Sequence, residues 1–147
     1  MKAIDQAPKS AMYNALNHPD IEEMIGIYSA SGGTTTANNL ALLLEERNKG
    51  NFVSVVQHIA MRDIVSYEWR SHCWIPLFQF DIRNMGIKQE VRRVSQVLFP
   101  VFDNAMLAMW FTEPNAWLKG RRPVDWIDSH FSDVLYAARA HRFVAAG

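Results

Sequence analysis

Leu107-Ala108-Met109-Trp110-Phe111-Thr112-Glu113-Pro114-Asn115-Ala116-Trp117-Leu118-Lys119-Gly120-Arg121-Arg122-Pro123-Val124-Asp125-Trp126-Ile127 holds three of the five tryptophans of the chain. An apolar helical pattern runs into the break Glu113-Pro114-Asn115. A short turn then presents Trp117 and Leu118. Gly120-Arg121-Arg122-Pro123 sets two cations on a corner stiffened by proline before Val124, Trp126 and Ile127 return to the core.

Upstream of this stretch, Ile87 to Phe99 reads as a helix with Ile87, Val91, Val94 and Leu98 on one face, ended by Pro100. Asp103 is the expected N-cap of the helix Asn104 to Thr112, and Phe102 and Leu107 occupy the staple positions around it. Downstream, Pro123 opens a short helical turn. Ser132 is the expected cap of a last helix that packs Phe131, Val134, Leu135 and Ala138 inward.

Nearer the N-terminus, residues 1–16 are weakly periodic and read as a tail or a short helix. His18-Pro19-Asp20 opens a helix with Ile21, Met24, Ile25 and Tyr28 inward, stopped by Gly32-Gly33. Thr34 to Thr36 supply the cap for a helix from Ala37 to Lys49, with Leu40, Leu43 and Leu44 inward and Gly50 behind it. Ser31 to Thr36 also has the look of a phosphate-cradling loop, but no P-loop lysine follows. In the middle segment, Val53, Val56 and Ile59 suggest one short helix, and Ile64, Val65 and Glu68-Trp69 a second. Asn84-Met85-Gly86 reads as a turn.

These patterns predict a mainly α fold, a compact multi-helix domain with at most a short strand near residues 77–80. The expected divisions are an N-terminal helical region 1–50, a helix-turn-helix-like segment 51–82 and a closing unit 83–147. A length of 147 residues suits one domain, or one domain with a small appendage. An apolar content of 49% excludes disorder throughout.

Charge is zero overall but uneven. Residues 1–46 carry −4, from Lys2 and Lys9 against Asp5, Asp20, Glu22, Glu23, Glu45 and Glu46. Residues 47–93 carry +4, so a nucleic-acid surface belongs there, with Arg62 and Arg70 as the expected DNA contacts. A solvated mixed surface is the plainer account of the same numbers.

His58, His72, Cys73, His130 and His141 do not fall at metal-ligand spacing, so neither a metal nor a cofactor is expected. Cys73 with a histidine is the one hydrolase-like pairing, and nothing local supports it. A lone cysteine excludes an internal disulfide and suits a reducing cytoplasm. No secretory leader pattern and no apolar run near the roughly 18 residues of a membrane span is present, so a cytoplasmic protein off the membrane is expected.

The series Trp110, Pro114-Asn115, Leu118-Lys119-Gly120-Arg121-Arg122-Pro123, then Phe131 to Phe143, resembles the toxin-binding domain of the Xre/MbcA/ParS antitoxin family. The likeness covers the last third of the chain well and the middle less well. The strand-like Pro76 to Asp81 is similar to the junction before that domain. The segment ahead of it resembles an excisionase-like helix-turn-helix, with Ala60, Met61 and Arg62 where a small residue and a Ser/Thr cap are usual.

The resemblance implies a non-catalytic antitoxin. It would neutralise a RES-type, NAD-degrading toxin by blocking its active-site cleft, autoregulate through operator DNA, and form a homodimer. Trp117, an exposed aromatic beside arginine, and Arg121 are expected toxin contacts. Arg139, His141 and Arg142 are expected as cationic plugs of the dinucleotide cleft. Arg122 is expected to cap carbonyls within the fold instead. The alternative is a stand-alone DNA-binding transcriptional regulator, or an orphan adaptor from a mobile element.

Overall fold

The computed structural model describes residues 19–147, so the tail expected over residues 1–16 lies outside the described residues. Helix α1 (Pro19–Ser29) buries Ile21, Met24 and Tyr28 as the 3–4 spacing requires. The Tyr28 hydroxyl donates to the carbonyl of Ala108, inside the stretch quoted above. Burial holds that hydroxyl well above its ordinary pKa, so it stays a neutral donor. Gly32 and Gly33, at φ of +106° and +82°, turn the chain after α1 in a conformation that side chains resist.

Next come β1 (Thr34–Thr36), α2 (Ala37–Glu46), α3 (Phe52–Ala60), β2 (Tyr67–Trp69) and β3 (His72–Pro76). The three strands form one antiparallel sheet in the order β1-β3-β2. Thr36 ends its strand and also caps α2, accepting from the amide of Asn39. Asn51 and Ser54 form a reciprocal capping box on α3. Helix, strand, helix, turn, helix and a two-stranded hairpin follow in order, with the first strand beside the last.

That arrangement corrects the expected motif. The helix pair is α2 with α3, and begins before residue 51. The second helix expected over Ile64 to Trp69 is not formed, because its place is taken by the hairpin β2–β3. Its two-residue turn, Arg70-Ser71, has φ of +51° and +65°, the double left-handed step that matches the twist of paired strands. The Val65 amide is taken by the side chain of Gln79, so it cannot feed a helical ladder. Within α3, Val55 is the fully buried residue, whereas Val53 and Val56, whose spacing suggested the helix, are 59% and 44% exposed.

A 3-10 turn (Leu77–Gln79) leads into β4 (Phe80–Asp81), which pairs antiparallel with β5 (Gly86–Ile87). Then follow α4 (Gln89–Leu98), α5 (Asn104–Trp110), a 3-10 turn (Ala116–Leu118), α6 (Pro123–Trp126) and α7 (Phe131–Ala146). Asp103 caps α5 as expected, its carboxylate accepting from the Met106 amide at 2.8 Å. Ser132 does not cap α7: the cap position lies two residues earlier, at His130, with no side-chain cap bond. The fold is therefore mixed α/β and rich in helix, with two small antiparallel sheets. The mainly α expectation fails because Thr34–Thr36, Tyr67–Trp69 and His72–Pro76 are too short to register as strands until they pair.

Two apolar clusters hold the fold among the described residues. The larger joins Ile21, Met24 and Tyr28 of α1 to Val91, Val94 and Leu98 of α4 and to Val134, Ala137 and Ala138 of α7. The smaller joins Leu40 and Leu44 of α2 to Val55, Ile75, Phe80 and Met85. Among the described residues no helix is long and apolar enough to cross a membrane.

Candidate interaction surface

The corner at residues 112–122 is closed by its own backbone. The Asn115 amide donates to the Arg121 carbonyl at 3.0 Å, and the Gly120 amide donates back to the Asn115 carbonyl at 2.8 Å. The buried Asn115 side chain accepts from the Trp117 amide. Lys119 and Gly120 take left-handed φ of +58° and +84°, which explains a glycine at the second of these positions. Leu118 anchors the loop in the larger cluster. Arg122 donates through Nε to the Thr112 carbonyl at 2.9 Å, the internal carbonyl cap expected of it.

What the corner presents outward is Trp117, 40% exposed, and Arg121. The Arg121 guanidinium lies 4.4 Å from the Trp126 ring centroid, and Trp126 in turn stacks on His130 at 3.8 Å. A guanidinium held on an aromatic face keeps its edge donors free for a carboxylate.

The structure brings Trp117 together with His141, ring centroids 5.5 Å apart. His141 is engaged within the fold. Its Nδ1 accepts from Trp110 Nε1 at 3.0 Å, and its ring meets Phe102 edge-on. An accepting Nδ1 needs the neutral ring, and burial lowers its pKa further. His141 clamps α5 to α7 through this bond.

This clamp makes stability depend on pH. With the folded pKa below the ordinary 6.5, the unfolded chain binds a proton that the folded chain refuses. Stability is therefore complete above that value and falls as pH drops through it. Thermal melts from about pH 7.5 down to about pH 5.5 should show the loss, and His141→Phe should flatten it.

Arg139 and Arg142 are exposed and have no ion pair or side-chain hydrogen bond within the described residues. With Val97, Phe143 and Ala146 they line a shallow groove of about 480 Å³ between α4 and α7. Beside them on the outer face of α7 lie Tyr136 and Phe143, 64% and 81% exposed. At about 100° per residue, Arg139 and His141 stand on opposite flanks of the helix. The five expected toxin contacts thus divide into Trp117 with His141, Arg139 with Arg142, and Arg121 on its own aromatic stack.

Of the two expected DNA contacts, Arg62 is consumed by the fold. It donates to Asn104 Oδ1 at 3.0 Å, to the Phe99 carbonyl at 3.1 Å and to the Phe102 carbonyl at 2.7 Å, and its guanidinium lies 4.2 Å from the Phe99 ring centroid. It closes the C-terminal end of α4. Arg70 sits exposed at the hairpin tip with its guanidinium 4.3 Å from the Trp69 ring centroid.

Cys73 is half-buried, and burial first, then Glu68, raises its thiol pKa, the reverse of what a nucleophile needs. No cluster of metal-ligating side chains occurs among the described residues.

Sequence reasoning missed the exposed apolar face of α3 and the buried Gln79. The signal for the first was a run, Phe52-Val53-Ser54-Val55-Val56, with more apolar residues than one helix face can bury.

No family model, curated protein or solved structure matches this chain.

Proposed function

We propose that this chain is a non-catalytic binding protein of antitoxin type, acting in the cytoplasm, whose partner is a RES-type NAD-degrading toxin. The reading rests on the resemblance of residues 110–143, and one observation supports it in the fold. The outer face of α7 exposes Tyr136 and Phe143 beside two unpaired arginines, Arg139 and Arg142. Aromatic anchors flanked by arginine make the composition of an interface hot spot.

The part played by the cations is revised. A cleft that holds a dinucleotide is itself lined with positive donors and would repel arginine. Arg139 and Arg142 therefore belong against carboxylates on the rim, and Phe143 is the side chain that enters. The test uses a RES-domain NAD-degrading toxin as probe in a calorimetric titration. Phe143→Ser should weaken binding at least tenfold, as loss of an aromatic anchor does. Arg139→Glu with Arg142→Glu should mainly slow association and invert its salt dependence. Unchanged affinity in both variants would move the interface to Trp117 and Arg121.

A second reading, a DNA-binding regulator, is favoured by the α2–α3 helix pair ahead of the β2–β3 hairpin and by Arg70 at the hairpin tip. It predicts salt-sensitive duplex binding in which Arg70→Ala lowers the salt slope by about one unit. The same assay showing no duplex binding at low salt would remove this reading.

A further inference from the structure

A cavity of about 390 Å³ opens where α2, the last turn of α3, the β4–β5 hairpin and the first turn of α4 meet. Its apolar wall comes from the smaller cluster: Leu40, Leu44, Ile64 and Phe80 line it, each no more than 4% exposed. Lys49, His58 and Arg92 line it too, with the side-chain amides of Asn84 and Gln89. No carboxylate of the described residues does, so the charge this lining can carry is positive.

The fold does not use up these donors. Asp63 serves two of them: Oδ1 accepts from Arg92 Nη2 at 3.1 Å, and Oδ2 lies 3.3 Å from His58 Nδ1. Lys49 has neither an ion pair nor a side-chain hydrogen bond among the described residues. Arg92 keeps its Nε buried with no hydrogen-bond partner among the described residues. A buried N–H left open is rare in a native fold, because it loses water and gains nothing in return. Asn84 accepts from the Gly86 amide through Oδ1 at 2.8 Å, which leaves its NH2 to donate.

An inorganic anion would use these donors and ignore the wall. A hydrocarbon would use the wall and ignore the donors, and a cation would be repelled. A ligand that satisfies both has an apolar body and one anionic end, and the cavity volume falls within the usual range of small-molecule sites. We propose that this cavity binds a small amphipathic anion, with an apolar body of about ten carbon atoms against Leu44, Ile64 and Phe80 and a carboxylate or phosphate held by Lys49 and Arg92. Such a ligand ties the α2–α3 pair and the β4–β5 hairpin to α4, so its binding raises the melting temperature. The proposal is independent of the toxin and duplex readings, since none of these residues lies on α7 or at the tip of β2–β3.

The experiment is a calorimetric titration of the full chain with naphthoate, naphthyl phosphate, naphthylmethanol and inorganic phosphate. At least one of the naphthyl anions should bind at a single site with a Kd on the order of 100 μM. The tighter of the two decides between a carboxylate and a phosphate ligand. The alcohol and inorganic phosphate should bind about tenfold more weakly or worse, since each offers only one of the two features. Lys49→Glu should weaken the naphthyl anion by about tenfold or more at an unchanged melting temperature, because Lys49 is exposed and unpaired. Arg92→Gln should weaken it as well, and Lys49→Glu carries the test alone if loss of the Asp63 bond unfolds that variant. Arg139→Glu with Arg142→Glu, at the α7 groove, should bind like wild type. No saturable binding of either naphthyl anion up to about ten times the expected Kd would overturn the proposal. So would an alcohol that binds as tightly as the anions, or a Lys49→Glu variant that binds like wild type. Binding lost in the α7 double variant would place the anion in the α7 groove and overturn the proposal equally.

Discussion

Gln79→Leu is expected to destabilise the fold by about 3–4 kcal/mol, because it strands three buried backbone groups at once. Gln79 is 1% exposed. Its Oε1 accepts from the Val65 amide at 2.7 Å, and its Nε2 donates to the carbonyls of Val65 and Pro76 at 2.9 and 2.8 Å. The side chain therefore straps the approach to β2 onto the end of β3. Leucine fits the volume but offers no partner, and each orphaned group costs about 1–3 kcal/mol. In a domain of this size the melting temperature should fall by roughly 10 °C or more. Gln79→Glu adds a sign test. A carboxylate can keep the bond from Val65 but faces the two carbonyls with oxygen, so its pKa rises in the folded state. Its protonated form restores one donor, so this variant should gain stability relative to wild type as pH falls towards about 4. A Gln79→Glu variant whose deficit is constant with pH would show that the strap is not formed.

Arg62→Ala is expected to cost about 3 kcal/mol, through the loss of charge-assisted bonds to Asn104, Phe99 and Phe102 together with the stacking on Phe99. Arg62 links the loop after α3 to the turn between α4 and α5, so its removal loosens the seam between the α2–α3 pair and the C-terminal helices. Lysine cannot replace a fork that reaches three acceptors, so Arg62→Lys should recover little of the loss. Arg62→Gly should cost about 1 kcal/mol less than Arg62→Ala, because the backbone here sits at φ of +58°. Chemical denaturation of the three variants orders them. Full stability in Arg62→Ala would place that guanidinium in solvent.

Much of the C-terminal architecture was legible, since its signals are local. Pro123 at the first turn of α6, Asp103 before α5 and the spacing of Val91, Val94 and Leu98 each act within a few residues. The corner Leu118-Lys119-Gly120-Arg121 was legible for the same reason. The strands were not, because three threonines or Tyr67-Glu68-Trp69 become a sheet only when β3 lies between them. The buried face of α3 was not, because Val53, Val55 and Val56 are equally apolar and only α2 and β3 decide which turns inward. The intramolecular partners of Arg62 and His141, both expected as ligand contacts, were not legible for a related reason. Charge is visible in a sequence, but the carbonyls and the indole N–H that engage these side chains lie 31 to 42 residues away. Among the expected contacts, Trp117, Arg121, Arg139 and Arg142 keep exposed side chains, and Arg70 does so at the hairpin tip.

The proposed activity is tested most directly by NAD consumption. A RES-type NAD-degrading toxin would be assayed with an equimolar amount of the full chain, wild type or Phe143→Ser. The account predicts that the wild-type chain stops NAD loss, and that Phe143→Ser leaves it running while melting at the wild-type temperature. NAD loss that continues undiminished with the wild-type chain bound would contradict it.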